Sequence, residues 1–130
     1  MIVLDTHVVL WLTTDKRLLS SAAAEAIRNA SRAAEGVAIA DSSLWEIAMA
    51  STKGRIRLPG TLADYLRYVE KTFVVLPITG AIAERSILLS DSFSKEPADR
   101  LIAATAIVHG LTLVTKDEKI RKSGEVPCIW

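Results

Sequence analysis

Met1-Ile2-Val3-Leu4-Asp5 opens the chain. Four apolar residues in succession, with no polar alternation, describe a strand buried on both faces, the kind found inside a parallel sheet. Asp5 breaks that run. A carboxylate placed where a central strand gives out lies at the carboxyl edge of the sheet, the rim along which open α/β folds gather their ligands. The question for the remaining residues is which other groups reach that rim.

Beyond Asp5, Thr6 to Leu12 is apolar enough and long enough for two helical turns, with Asp5 as N-cap. Ser20 and Ser21 open an alanine-rich helix, Ala22 to Ala34, that stops at Gly36. Val37 to Ala40 is a second buried strand ending in Asp41-Ser42-Ser43. The helix after it carries Leu44, Trp45, Ile47 and Ala48 on its apolar side and closes at Gly54. Thr61 and Asp64 have capping-box spacing for Leu62 to Lys71. Phe73 to Leu76 is the third strand, ended by Pro77, and Thr79 starts a helix through about Leu89. Ser90 to Glu96 reads as a polar loop. Pro97 takes the first helical position before Ala98 to His109, a segment apolar nearly all round and therefore buried. Leu111 to Thr115 is the fourth strand, Asp117 to Lys122 a short helix, and Val126 to Trp130 an edge strand. Strands alternating with helices predict an α/β domain whose central, mostly parallel sheet of four to five strands has helices on both faces.

The chain has 130 residues, which suits one domain with a sizeable core. Sixteen basic and fifteen acidic residues leave a net charge of +1. That sum speaks neither for nor against nucleic acid, because binding depends on where charge is clustered. Half the residues are hydrophobic, yet no apolar run approaches the roughly 20 residues of a membrane span. Met1 leads into the first strand without a basic n-region or cleavage site, so no secretory signal is expected. Cys128 is the only cysteine. It rules out an internal disulfide, fits a reducing cytoplasm, and reads as a small hydrophobe beside the last strand.

The acids carry the chemistry. Asp5 follows strand one, Glu46 is expected in the first turn of the helix after strand two, and Asp117 lies just beyond strand four. Parallel topology delivers these three to one rim; Asp99 joins them if its helix starts nearby. Taken singly, each has a simpler role. Asp5 is an N-cap, Ser43 to Glu46 fits an S-x-x-E capping box, and Asp99 and Asp117 face helix dipoles. Capping does not explain convergence, however, and gathered carboxylates repel one another unless a cation or raised pKa values relieve the charge. Oxygen ligands with no His or Cys at metal-ligand spacing point to Mg²⁺ or Mn²⁺ rather than zinc.

Leu4-Asp5-Thr6-His7, Ser43-Leu44-Trp45-Glu46-Ile47, Pro97-Ala98-Asp99-Arg100-Leu101-Ile102-Ala103-Ala104 and Leu113-Val114-Thr115-Lys116-Asp117 resemble, in order and spacing, the motifs of PIN-domain ribonucleases. More narrowly, the chain resembles the VapC-type toxins of bacterial toxin-antitoxin pairs. The likeness runs from Ile2 to the closing Pro127-Cys128-Ile129-Trp130. It implies a PIN-like nuclease domain over residues 1–130 and a metal-dependent endoribonuclease that hydrolyses RNA phosphodiesters with metal-activated water. Asp5, Glu46, Asp99 and Asp117 become the catalytic, metal-binding carboxylates, with Thr6 and Thr115 supporting them and Mg²⁺, or Mn²⁺ in its place, as cofactor. A homodimer held inactive by a cognate VapB-type antitoxin is implied as well. Where relatives often carry Asp before Pro-x-Asp this chain has Glu96, which is expected to alter the loop more than the chemistry.

Lys53, Arg55 and Arg57, with Arg100, Lys116 and Lys119 beside the acids, are candidate phosphate or antitoxin contacts. Arg100 is the strongest of these, while the first cluster reads equally well as solvated surface charge, and Lys119 more so. His7 reads as structural or exposed, and Trp11 and Trp45 as core residues. Two other classes compete. A phosphotransferase of haloacid-dehalogenase type needs a second acid two residues after the first, where this chain has His7. A noncatalytic α/β interaction module would use the acids only as caps and would bind no divalent ion tightly.

Overall fold

A computed structural model describes all residues from Met1 to Trp130. Its centre is β1 (Ile2–Leu4), flanked on one side by β2 (Val37–Ala40) and β3 (Val74–Leu76) and on the other by β4 (Thr112–Val114) and β5 (Cys128–Ile129), giving the order β3-β2-β1-β4-β5. All four pairings are parallel. Ile2 stands opposite Val37 and Thr112, and Leu4 opposite Ile39 and Val114. With this register the carboxyl ends of β1, β2 and β4 lie side by side, which is what brings the acids together.

Helices cover both faces. Leu4, Ile39 and Val114 pack into a cluster with Val8 and Val9 of α1 (Thr6–Thr14), Ile27 of α2 (Ser21–Arg32), Ile47 of α3 (Ser42–Thr52) and Val69 of α4 (Leu62–Thr72). Val3, Ala38, Ala40 and Leu113 point the other way, onto Ile102, Ala103 and Ala106 of α6 (Pro97–Val108) and Ile120 of α7 (Glu118–Ser123). Alanines on both β2 and α6 let the helix lie close to the sheet, and α5 (Gly80–Leu88) packs on α6 in turn. Burial of a side chain the size of Leu4 or Ile102, each with no exposed surface, contributes about 1.5–3 kcal/mol. No helix is long and apolar enough to cross a membrane.

Several local expectations change. Phe73 is buried but closes α4, its N–H bonding to the Val69 carbonyl, so β3 starts at Val74. A 3₁₀ turn at Lys16–Leu18, capped by Asp15, was not anticipated. The Ser43 to Glu46 capping box does not form. Asp41 is the residue before the helix, already in helical conformation, and its Oδ2 accepts from the Ile78 N–H at 3.0 Å instead of capping. Glu46 therefore lies in the second turn of α3. Trp45 is 61% exposed, not core, because α3 buries the face of Ser43 and Ile47 and Trp45 lies about 200° from both. Cys128 is a half-buried thiol at the start of β5.

Candidate active site

Asp5, Glu46, Asp99 and Asp117 line one pocket of about 220 Å³, together with Thr6, His7, Leu10 and Ala50. Each acid is delivered by a different part of the chain. Asp5 continues β1, its N–H bonding to the Val114 carbonyl, and is only 5% exposed. Its Oδ1 accepts from the Thr6 N–H and its Oδ2 from Thr115 Oγ1, both at 2.7 Å. Thr115 in turn accepts the Asp117 N–H at 3.0 Å, so one buried hydroxyl joins two of the acids. Asp117 caps α7, its Oδ1 accepting from Ile120 N at 3.1 Å.

Glu46 and Asp99 cap nothing. Glu46 Oε1 accepts from Thr6 Oγ1 at 2.5 Å, and that hydroxyl also lies 2.9 Å from Ser43 Oγ. Asp99, third residue of α6, accepts from Ser94 Oγ at 2.5 Å through Oδ2. The simpler roles thus hold for Asp5 and Asp117 as caps and for Asp99 as a first-turn charge at the positive end of its helix, and fail for Glu46. Burial, followed by the negative charges of Asp5, Asp99 and Glu96, pushes Glu46 up to about 7 against the bond from Thr6. Burial likewise pushes Asp99 up to about 6, with Asp5, Glu96 and Asp117 adding to it and the Ser94 bond opposing. Four carboxylates influencing one another are the charge excess that a divalent cation would relieve. The donors are hard oxygens, which suits such an ion, although no three acidic, His or Cys side chains already stand at the spacing of a closed cage.

Two shallow clefts adjoin this pocket. One, about 530 Å³, runs along Asp91 to Pro97 to Asp99, Asp117 and Lys119. The other, about 430 Å³, is bordered by Trp45, Glu46, Lys53, Arg55 and Glu96. Each shares residues with the acidic pocket, and the two meet at Glu96 and Pro97; Lys95 and Lys119 line the first, and Lys53 and Arg55 the second. Glu96 lines both clefts and raises two of the acids, so its effect is electrostatic as well as local.

Arg100 departs from expectation. Its guanidinium donates to the carbonyls of Ser86, Leu89, Ser90 and Ser94, at 2.8–3.2 Å, which commits it to holding the loop before α6 rather than to phosphate. Lys116 sets its ammonium 5.6 Å from the Trp11 ring centre. Trp11 and Trp130 form an aromatic cluster with His7, outside any purely aliphatic core. Sequence reasoning also missed Ser94 and Ser43, the hydroxyls at Asp99 and Thr6. Serines carry no such signal on their own, because their partners are set by tertiary contacts.

The fold agrees with the likeness of this chain to known proteins. The PIN domain family profile matches residues 2–126, and the chain belongs to that family. It is 38% identical over 120 residues to ribonuclease VapC22 of Mycobacterium tuberculosis, an alignment covering 92% of this chain and 89% of that protein. The same fold occurs in a toxin-antitoxin complex from Klebsiella pneumoniae, with TM-score 0.68, 23% identity and coverage of 97% of this chain and 95% of the other. It occurs again in VapBC2 from Rickettsia felis bound to a DNA fragment from its promoter, with TM-score 0.71, 15% identity and coverage of 98% and 97%.

Proposed function

We propose that this chain is an endoribonuclease of the VapC type, the toxin of a toxin-antitoxin pair, whose activity depends on Mg²⁺ or Mn²⁺. The observation that carries the proposal is the meeting of Asp5, Glu46, Asp99 and Asp117, from four separate elements, in one pocket adjoined by two clefts that have basic side chains in their linings. The similarity to ribonuclease VapC22 supports RNA as the substrate, and the toxin-antitoxin complexes that share the fold support a VapB-type antitoxin as partner.

Asp5 and Asp99 are the principal ligands in this reading, with Asp117 completing the shell. A divalent cation bound by these residues would neutralise charge for an anionic substrate and would acidify a bound water. Glu46 accepts the proton of the attacking water. Its Oε1 is fixed by Thr6, which leaves Oε2 as the basic atom. The water oxygen bonds to phosphorus, the P–O bond to the neighbouring ribose breaks, and the leaving oxygen takes up a proton from solvent to become a hydroxyl. Lys53 and Arg55 in one adjoining cleft and Lys119 in the other hold flanking phosphates. Thr115 and Thr6 keep Asp5 and Glu46 in place.

The test is incubation of the purified protein with mixed RNAs, with and without Mg²⁺ or Mn²⁺, beside an Asp99→Asn control. Cleavage only with the ion, lost in the control, is the expected result. Equal cleavage in a chelator, or by the control, would contradict it.

A further inference from the structure

We infer that His7 is a positioning residue that fixes the spacing between Asp5 and Asp117, an inference resting on the metal-site reading above. His7 is the one member of the acidic pocket's lining that is a titratable side chain and not an acid. Its Nε2 accepts the Lys116 N–H at 3.1 Å, so the neutral ring carries its proton on Nδ1. That nitrogen lies 3.5 Å from Asp5 Oδ2, the oxygen that also accepts from Thr115.

Two routes therefore join the end of β1 to the turn after β4. One passes through the Thr115 hydroxyl to the Asp117 N–H, and the other through the His7 ring to the Lys116 N–H, one residue earlier. Both add to the backbone bonds from Asp5 N–H to the Val114 carbonyl and from Thr115 N–H to the Ile129 carbonyl, and the His7 route is the one that restrains Lys116, directly before Asp117. The ring plane is set in turn by Trp11, 4.8 Å away and tilted 59°, and by Trp130 at 6.4 Å, edge-on. Histidine and Trp11 are four residues apart on α1, the spacing that stacks side chains on one helix face. Groups that orient a metal ligand in this way change affinity or activity by about 10–100-fold when removed.

The experiment compares wild type with His7→Leu and His7→Gln, measuring Mn²⁺ affinity by electron paramagnetic resonance without RNA, and kcat and KM with it. The leucine variant is expected to lose about tenfold or more in both Mn²⁺ affinity and kcat while KM for RNA stays within about twofold. Glutamine, whose amide oxygen can accept the Lys116 N–H, is expected to recover most of the loss. Wild-type affinity and kcat in the leucine variant would overturn the inference, as would a change confined to KM, which marks a substrate contact. Should the leucine variant fail to fold, His7→Asn, which keeps a polar group near the Nδ1 position and loses the acceptor for Lys116, carries the same expectation and the same contradiction. A wild type that binds Mn²⁺ and cuts no RNA counts against the proposed activity alone, since ion affinity still decides the role of His7. A wild type that binds no Mn²⁺ overturns both.

Discussion

Glu46 and Asp99 hold their protons more tightly in the folded chain than out of it, at about 7 against an ordinary 4.5 and about 6 against 3.8. For acids shifted upward the sign is fixed: their contribution to stability is full below the unfolded values and is lost as pH rises through the folded ones. Metal-free protein is therefore expected to lose thermal stability between about pH 4 and pH 7 from these two groups. Asp99→Asn should flatten that fall, by removing one of the two groups and a charge that raises the other. Added Mn²⁺ should raise the melting temperature more at pH 8 than at pH 5, because protons and cation compete for the same oxygens. Differential scanning calorimetry across that range checks each point; a metal effect larger at pH 5 would contradict it. Asp5, Glu46 and Asp117 were legible in the sequence because parallel topology dictates where strand ends go; Asp99 joins them only because its helix starts at the same rim, which the sequence permitted without dictating. The destination of Arg100 was not, because a long side chain beside an acid reaches phosphate or carbonyl oxygen with equal ease until the neighbouring loop is placed.

Among the elements, α6 and the loop before it do the most to complete the site. Arg100 ties the last turn of α5 and the segment Leu89 to Ser94 to α6 through four carbonyl oxygens, and Ser94 at the end of that segment bonds Asp99. Removing the guanidinium strands several of those acceptors. Arg100→Ala should destabilise the protein by about 1–3 kcal/mol, with faster amide exchange concentrated in residues 89–96, as measured by denaturant melts and hydrogen exchange. An unchanged loop would mean the four bonds are incidental. Strand and helix identities were readable from hydrophobic period, and Pro97 correctly marked the start of α6. Boundaries were harder. Phe73 is apolar whether it ends a helix or begins a strand, and Ser43 lost its capping role because the backbone at Asp41 had already turned helical.

At the scale of the whole molecule, the order β3-β2-β1-β4-β5 puts the first strand at the centre, as its unbroken apolar run requires, and builds the site on the carboxyl edge. The face around α5 is different in character. Ile78, Ile87 and Leu88 are exposed there, Ile87 by 77% and Leu88 by 63%, which makes this the face on which to test the homodimer that the VapC resemblance implies. Leu88→Glu should shift the mass measured by light scattering toward the monomer; wild-type protein already monomeric at the same concentration would refute the assignment. Nothing in the sequence marked this face, since exposed and core apolar positions on a helix share one period. The account as a whole stands on the acidic pocket acting as a divalent-ion site. The most direct measurement is anomalous diffraction from crystals soaked in Mn²⁺: the account predicts a peak among Asp5, Asp99 and Asp117, absent in Asp99→Asn, and a pocket without one at saturating Mn²⁺ and neutral pH would contradict it.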